Sequence, residues 1–192
     1  MINDVTVAVW NQALLCLAQP LLSGPDDDSE TARRVRVQWA VSRPAVLRSY
    51  PWNCAMRRAL LPALVEKPAW GFANAFSLPT GCLRLWEVDG QKRGPWTVEG
   101  GRVLTDLPGP LRVRFVADIE AHQMDPALRL LMAKEMAADL AMALTNNATL
   151  GQSLAADIKR LRVETRASDA MEANDQQFYD RDDMPDWLDV RR

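Results

Sequence analysis

The chain has 192 residues, of which 48% are hydrophobic and 25% charged, and its formal net charge is −2. This composition is typical of a soluble globular protein with one main core, and the slight acidic excess argues against a general nucleic-acid binder. The first residues lack the basic and apolar regions of a signal peptide, and no apolar run is long enough to span a membrane. Three cysteines without paired spacing, Cys16, Cys54 and Cys82, predict reduced thiols in a cytoplasmic setting.

Helical periodicity predicts two helices in the first quarter of the chain, at residues 3–18 and 30–42. The apolar residues of the second helix, which we expect to be buried, are Ala32, Val35, Trp39 and either Ala40 or Val41. Pro44 removes a backbone donor and clashes with the preceding turn, so we expect a kink or break near Arg43 and a further helical piece to residue 49. A short third helix is predicted at residues 54–60.

The segment 126–144 is apolar on almost every side, with few charged residues. Asp125 supplies a helix cap and Pro126 a favourable first helical residue. Because a helix of this kind must be surrounded by neighbours, we expect it to be the central helix of the fold. Apolar residues spaced by three and four then predict an antiparallel helix over residues 150–173.

Between the helices the hydrophobic periodicity changes to two, which is typical of strands. We predict four strands, at residues 83–88, 95–99, 102–105 and 111–117. The turn signals Asp89-Gly90 and Gly100-Gly101 join them into one antiparallel meander, whose apolar face packs on the helices. The predicted fold is therefore mainly α with an inserted small antiparallel β-meander (α+β), a four- to five-helix bundle plus an extended C-terminal arm.

These patterns divide the chain into four parts. Residues 1–76 hold three helices and an irregular connector, and residues 77–120 hold the meander. Residues 121–173 hold the last two helices, and residues 174–192 form the arm. The arm is acidic, yet it carries four large apolar side chains, Phe178, Tyr179, Trp187 and Leu188. A merely solvating tail has few aromatic residues, so we expect these four side chains to dock on a partner.

The sequence offers little catalytic chemistry. The single histidine, His122, lies in the loop before the central helix, and Cys54 is most simply a buried small side chain. No catalytic, phosphate-binding or metal-binding motif occurs, so no enzyme activity, cofactor or metal is expected. The second helix carries Arg33, Arg36 and Arg43 on its other faces. These arginines form a solvated face, pair with acidic groups of a neighbouring chain, or contact phosphate.

Distinctive short motifs run along most of the chain. WNQAL at residues 10–14 is followed by PWNCA at 51–55, PAWGFANAFSLP at 68–79 and CLRL at 82–85. Together they resemble the head-to-tail adaptor proteins of short-tailed bacteriophages, the family called tail tubular protein A. The string over residues 68–85 is the most specific part of this resemblance, although Gly81 stands where the family has an acidic residue.

The resemblance implies a structural protein of the virion, not an enzyme. Proteins of this family assemble as a ring of twelve copies beneath the portal ring, close the DNA-filled head and provide the platform for the tail nozzle protein. Their C-terminal arm reaches the portal, so the four apolar side chains of the arm become the expected portal contacts. The three arginines of the second helix become candidate subunit contacts.

The resemblance also implies a location at the head–tail junction of the virion, after assembly in the cytoplasm of the bacterial host. DNA passes through such a ring without sequence-specific binding, and no membrane is involved. Two alternatives remain open from the residues alone. One is a nucleic-acid-binding regulatory protein, or another small interaction protein, that uses the arginines of the second helix; the other is an enzyme that uses Cys54 or His122.

Overall fold

The computed structural model describes residues 3–172, which form four α-helices and six strands. The helices are α1 (Asp4–Cys16), α2 (Glu30–Ser49), α3 (Pro126–Thr145) and α4 (Ala148–Glu172). The strands are β1 (Met56–Leu61), β2 (Asn74–Ser77), β3 (Cys82–Val88), β4 (Trp96–Glu99), β5 (Arg102–Thr105) and β6 (Leu111–Ala117). Short 3₁₀ turns precede β1 and α3, at Asn53–Ala55 and Ala121–Gln123. The predicted α+β class is confirmed. The predicted arm lies outside the described residues.

Capping side chains begin three of the helices, and one of them is the predicted cap Asp125. Asn3, Ser29 and Asp125 each accept a hydrogen bond from a backbone N–H of the first turn, at 2.9, 3.2 and 2.7 Å. Each bond satisfies a donor that has no partner within the helix. The helices predicted at the two ends of the described chain are confirmed, with small shifts at their boundaries.

The helix α3 is the centre of the helical part, as its composition predicts. The helices α1, α2 and α4 all pack against it. Eight of its residues are buried, Leu128, Leu131, Met132, Ala133, Met136, Ala137, Leu140 and Ala141. They face the large side chains of α1 and α2, among which Trp10 is fully buried, so one continuous core joins the helices.

The expected kink or break near Arg43 is not a break, because α2 runs through Pro44 as one helix, and the helical stretch predicted to reach residue 49 is confirmed. A proline inside an isolated helix costs roughly 3 kcal/mol. Here the turns on both sides of the proline are held by the core, since Trp39, Val46 and Leu47 are buried. Arg43, the residue before the proline, also binds two acidic side chains. Tertiary packing therefore outweighs the local penalty.

The predicted helix at residues 54–60 is also wrong, because one 3₁₀ turn leads directly into β1. This strand pairs with β6 along its whole length, and its Ala59 and Leu61 side chains pack into the core of the β region. The doublets Arg57-Arg58 and Leu60-Leu61 hide the alternation that would otherwise indicate a strand. The β region therefore begins at residue 56 rather than at residue 77.

The strands form two three-stranded antiparallel sheets instead of one meander. Sheet A has the order β1-β6-β3 and sheet B the order β2-β5-β4. The hairpin at Gly100-Gly101 joins β4 to β5 as predicted, but β3 pairs with β6 rather than with its neighbour in sequence. Apolar side chains from both sheets share a core of their own: Leu61, Phe76, Leu85, Val88, Val103, Leu111, Val113 and Phe115.

The two cores meet at one end of sheet A. Val116 of β6 is buried in the helical core, and Met56, directly opposite it in β1, packs on the same cluster. The predicted packing of a sheet face on the helices therefore holds only at this end. Most of the apolar surface of the strands is covered by the other sheet, because two facing sheets can bury each other without help from helices.

Candidate interaction surfaces

The first two candidate interface arginines stabilise the start of α2. The Arg33 guanidinium donates to the Asp28 carboxylate at 3.2 Å, and both side chains are largely exposed. Arg36 donates to the backbone carbonyls of Pro25 and Asp27 at 2.9 and 2.6 Å. Both arginines are therefore engaged within their own chain. Their contact with a neighbouring subunit stays a prediction.

The third candidate, Arg43, joins the helical part to the β region. Its guanidinium donates to the carboxylates of Asp118 and Glu120, at 2.8 Å each, and lies 5.9 Å from the centre of the Trp39 ring. Asp118 directly follows β6, and Glu120 lies in the connection to α3. Only 20% of the Arg43 side chain is exposed. We therefore call Arg43 an internal clamp, because it links the helical part to the β region. Little of its side chain remains exposed to contact phosphate or another subunit.

The outer side of α2 carries an exposed apolar surface, which we name the α2 stripe: Val37, Ala40, Val41 and Ala45. The expectation that Ala40 or Val41 is buried is wrong, since 62% of Val41 is exposed, as is 69% of Val37. The described residues therefore leave more than half of each of these two valines exposed to solvent. Spacings of three and four place them on one helical face, opposite the buried Val35 and Trp39. The sequence carries the signal for this surface, because α2 has more valines than one core-facing stripe needs.

Within residues 3–172, the helix α4 is covered on one side only. Of its 25 residues, only Leu154, Ile158 and Thr165 are buried. Ion pairing with α3 adds to this contact, since Arg162 donates to the Glu135 carboxylate at 2.6 Å. Val163 lies on the uncovered side and is 69% exposed. A long helix with one buried face presents a large outer surface to a partner.

The end of α4 is fastened to the turn before β1. The Asp169 carboxylate accepts the backbone N–H of Asn53 at 2.9 Å, and the Arg166 guanidinium lies 5.1 Å from the centre of the Tyr50 ring. Burial raises the pKa of Asp169 above its ordinary value, although the Asn53 hydrogen bond acts in the opposite direction. The last turn of α4 therefore lies beside the start of sheet A.

The two residues considered for catalysis, Cys54 and His122, lie in the two short 3₁₀ turns. Burial raises the pKa of the Cys54 thiol, whereas a nucleophilic cysteine needs a lowered pKa. The Nδ1 atom of His122 lies 3.2 Å from the side-chain nitrogen of Asn3, the cap of α1. Across residues 3–172 no group of three acidic, histidine or cysteine residues is arranged to hold a metal ion. Within the same residues no helix is long and apolar enough to cross a membrane.

The four predicted portal contacts, Phe178, Tyr179, Trp187 and Leu188, lie outside the described residues. The motif string that carries the family resemblance lies in the β region, where Phe76 is fully buried and Trp70 is 85% exposed. No protein-family profile matches this chain, and no curated protein sequence matches it.

Proposed function

We propose that this chain is the repeating subunit of a head-to-tail adaptor of the tail tubular protein A type. In this role it assembles as a ring beneath the portal of a short-tailed phage, closes the DNA-filled head and carries the tail nozzle protein. Support comes from the motifs at residues 10–14, 51–55, 68–79 and 82–85, and from a helical fold with an inserted β region.

The single observation that carries the proposal is the uncovered α2 stripe. Exposed branched apolar side chains at helical spacing, on a helix already packed on its other side, are typical of a surface that a partner covers. A closed ring joins two unlike surfaces of the same chain, so each subunit needs a second face. The uncovered side of α4, around Val163, supplies a candidate for that second face.

The charge of the chain suits a passage for DNA. With 23 basic and 25 acidic residues the subunit has no general attraction for the phosphate backbone. Of the α2 arginines that the regulatory alternative needs, Arg36 and Arg43 donate to acceptors within the chain. Polyanionic DNA therefore slides past such a ring rather than being held by it.

Sedimentation with the portal ring of the same phage tests the proposal. The unaltered chain should co-sediment with the portal as a multi-copy assembly, and Val41→Glu should abolish this because a buried carboxylate without a partner opposes contact. Val65→Glu is the matched control, since Val65 is fully exposed on the loop after β1 and is not part of the α2 stripe. Absence of co-sedimentation by the unaltered chain, or equal loss with both variants, would contradict the proposal.

A further inference from the structure

A basic cluster with an aromatic centre lies at the edge of sheet A, and we name it the Trp86 cluster: Arg84, Trp86, Lys92 and Arg93. Its strand, β3, is an edge strand, because the order of sheet A is β1-β6-β3. The pairing of β3 with β6 shifts between Leu85 and Glu87, so Trp86 is the extra residue of a β-bulge. Bulges redirect a side chain, and they are frequent at sheet edges and next to active sites.

Two cations lie over the Trp86 ring, one from each side of it in the sequence. The Arg84 guanidinium carbon is 5.1 Å and the Lys92 Nζ atom 5.9 Å from the ring centre. A tight turn brings Lys92 back to the strand. Its central residues, Asp89 and Gly90, have φ values of 50° and 82°, and the two residues that flank it exchange backbone hydrogen bonds of 3.0 and 2.9 Å. The ring therefore holds two like charges close together.

The positive charge of the Trp86 cluster is not neutralised by the part of the chain that the structure describes. Its three basic side chains are exposed. Within residues 3–172 none of the three forms an ion pair. The acidic residues of the same hairpin are engaged elsewhere, since Glu87 pairs with Arg114 at 3.2 Å and Asp89 with Arg112 at 2.7 Å. Like charges held together without a counter-charge repel each other, so a partner that supplies negative charge is favoured.

We propose that the Trp86 cluster binds an extended acidic segment of a partner protein. Two carboxylates at alternate positions of an extended chain lie about 7 Å apart, a spacing that suits two cations held over one ring. Arginine also offers a carboxylate two parallel hydrogen bonds. Because the ring already orders both cations, little side-chain freedom is lost on binding. The inference does not rest on the proposed ring assembly, since the cluster lies on β3 and its turn rather than on α2 or α4.

A protein segment suits the cluster better than nucleic acid does. Single-stranded nucleic acid needs aromatic rings on which its bases stack, whereas the Trp86 ring is engaged by two cations of its own chain. The whole chain carries a formal net charge of −2, so its other surfaces do not attract a long polyanion. A short acidic segment meets the cluster alone.

Nuclear magnetic resonance of the full-length chain with a peptide probe tests this proposal. The probe is an acetylated and amidated hexapeptide of alternating aspartate and alanine, and its reference is the same peptide with asparagine in place of aspartate. The aspartate peptide should shift the Trp86 Nε1–H signal saturably, and the asparagine peptide should not. The Trp86→Phe variant lacks this signal and therefore assigns it.

Two double variants separate the cluster from the general effect of charge. Arg84→Gln with Lys92→Gln should weaken peptide binding about fivefold, because two exposed charge pairs are lost. Lys67→Gln with Lys159→Gln removes the same charge from exposed residues outside the cluster and should leave the affinity unchanged. Circular dichroism checks that each variant is folded. Lys92→Gln alone, on the exposed residue after the turn, should weaken binding about twofold and provides a second, milder test.

Three results would overturn the proposal. One is a Trp86 signal that does not shift saturably with the aspartate peptide. Another is equal affinity of that peptide for the unaltered chain and for the variant that lacks both cations over the ring. The third is tighter binding of a short DNA duplex than of the peptide, lost in the same variant, which would assign the cluster to nucleic acid.

Discussion

Arg43 provides the sharpest test of how the helical part and the β region are held together. Its guanidinium makes two charged hydrogen bonds of 2.8 Å, to Asp118 and Glu120, and is 80% shielded from solvent, as its 20% exposure implies. Hydrogen bonds to charged groups contribute about 1.5–3 kcal/mol each, but the partial exposure of both carboxylates reduces this. We therefore expect Arg43→Ala to lower the free energy of unfolding by about 2 kcal/mol.

Urea unfolding followed by tryptophan fluorescence measures this loss directly. For a chain of this size about 2 kcal/mol corresponds to a fall in melting temperature of roughly 4–8 °C. The control Arg33→Ala removes an exposed ion pair and should change the free energy by less than about 0.5 kcal/mol. If Arg43→Ala lowered the free energy of unfolding as little as Arg33→Ala does, Arg43 would not hold the helical part and the β region together. If Arg43→Ala had normal stability but failed to bind the portal, Arg43 would instead belong to the subunit interface.

Three further predictions follow from the fold. Met136→Ala should cost about 2–5 kcal/mol in urea unfolding, because Met136 is fully buried at the centre of α3. Burial raises the pKa of Asp169 in the folded chain, so ionisation of this carboxyl opposes folding as the pH rises from the acid range. Asp169→Asn should therefore make the free energy of unfolding fall less with rising pH, while the amide oxygen still accepts the Asn53 N–H. An unchanged pH dependence would contradict that reasoning. Deletion of residues 174–192 should leave the far-ultraviolet circular dichroism of a folded chain but abolish portal binding, and normal binding would show that the arm assignment is wrong.

Local sequence patterns are sufficient to predict the central helix and the later strands. The cap at Asp125 and the apolar residues of α3 act within one or two turns, and the alternation in β6 and the glycine turn before β5 are equally local. Such features depend on near neighbours in the chain. They can therefore be recognised without knowledge of the tertiary contacts.

The errors all arise where distant parts of the chain decide the outcome. Pro44 is tolerated because the core holds both of its neighbouring turns, and residues 56–61 become a strand because β6 pairs with them. Val41 is exposed because Val35 and Trp39, on the opposite side of α2, are the residues that pack into the core. The partners of Arg43 lie 75 and 77 residues away, so no local pattern could identify it as a clamp. Residues of this kind require the structure.

Electron microscopy of the chain mixed with the purified portal ring of the same phage is the most direct test of the proposed function. We expect a second ring on one end of the portal, in which the α2 stripe of each subunit contacts the next subunit. Portal particles without an added ring, in the presence of chain that is folded by circular dichroism, would contradict it.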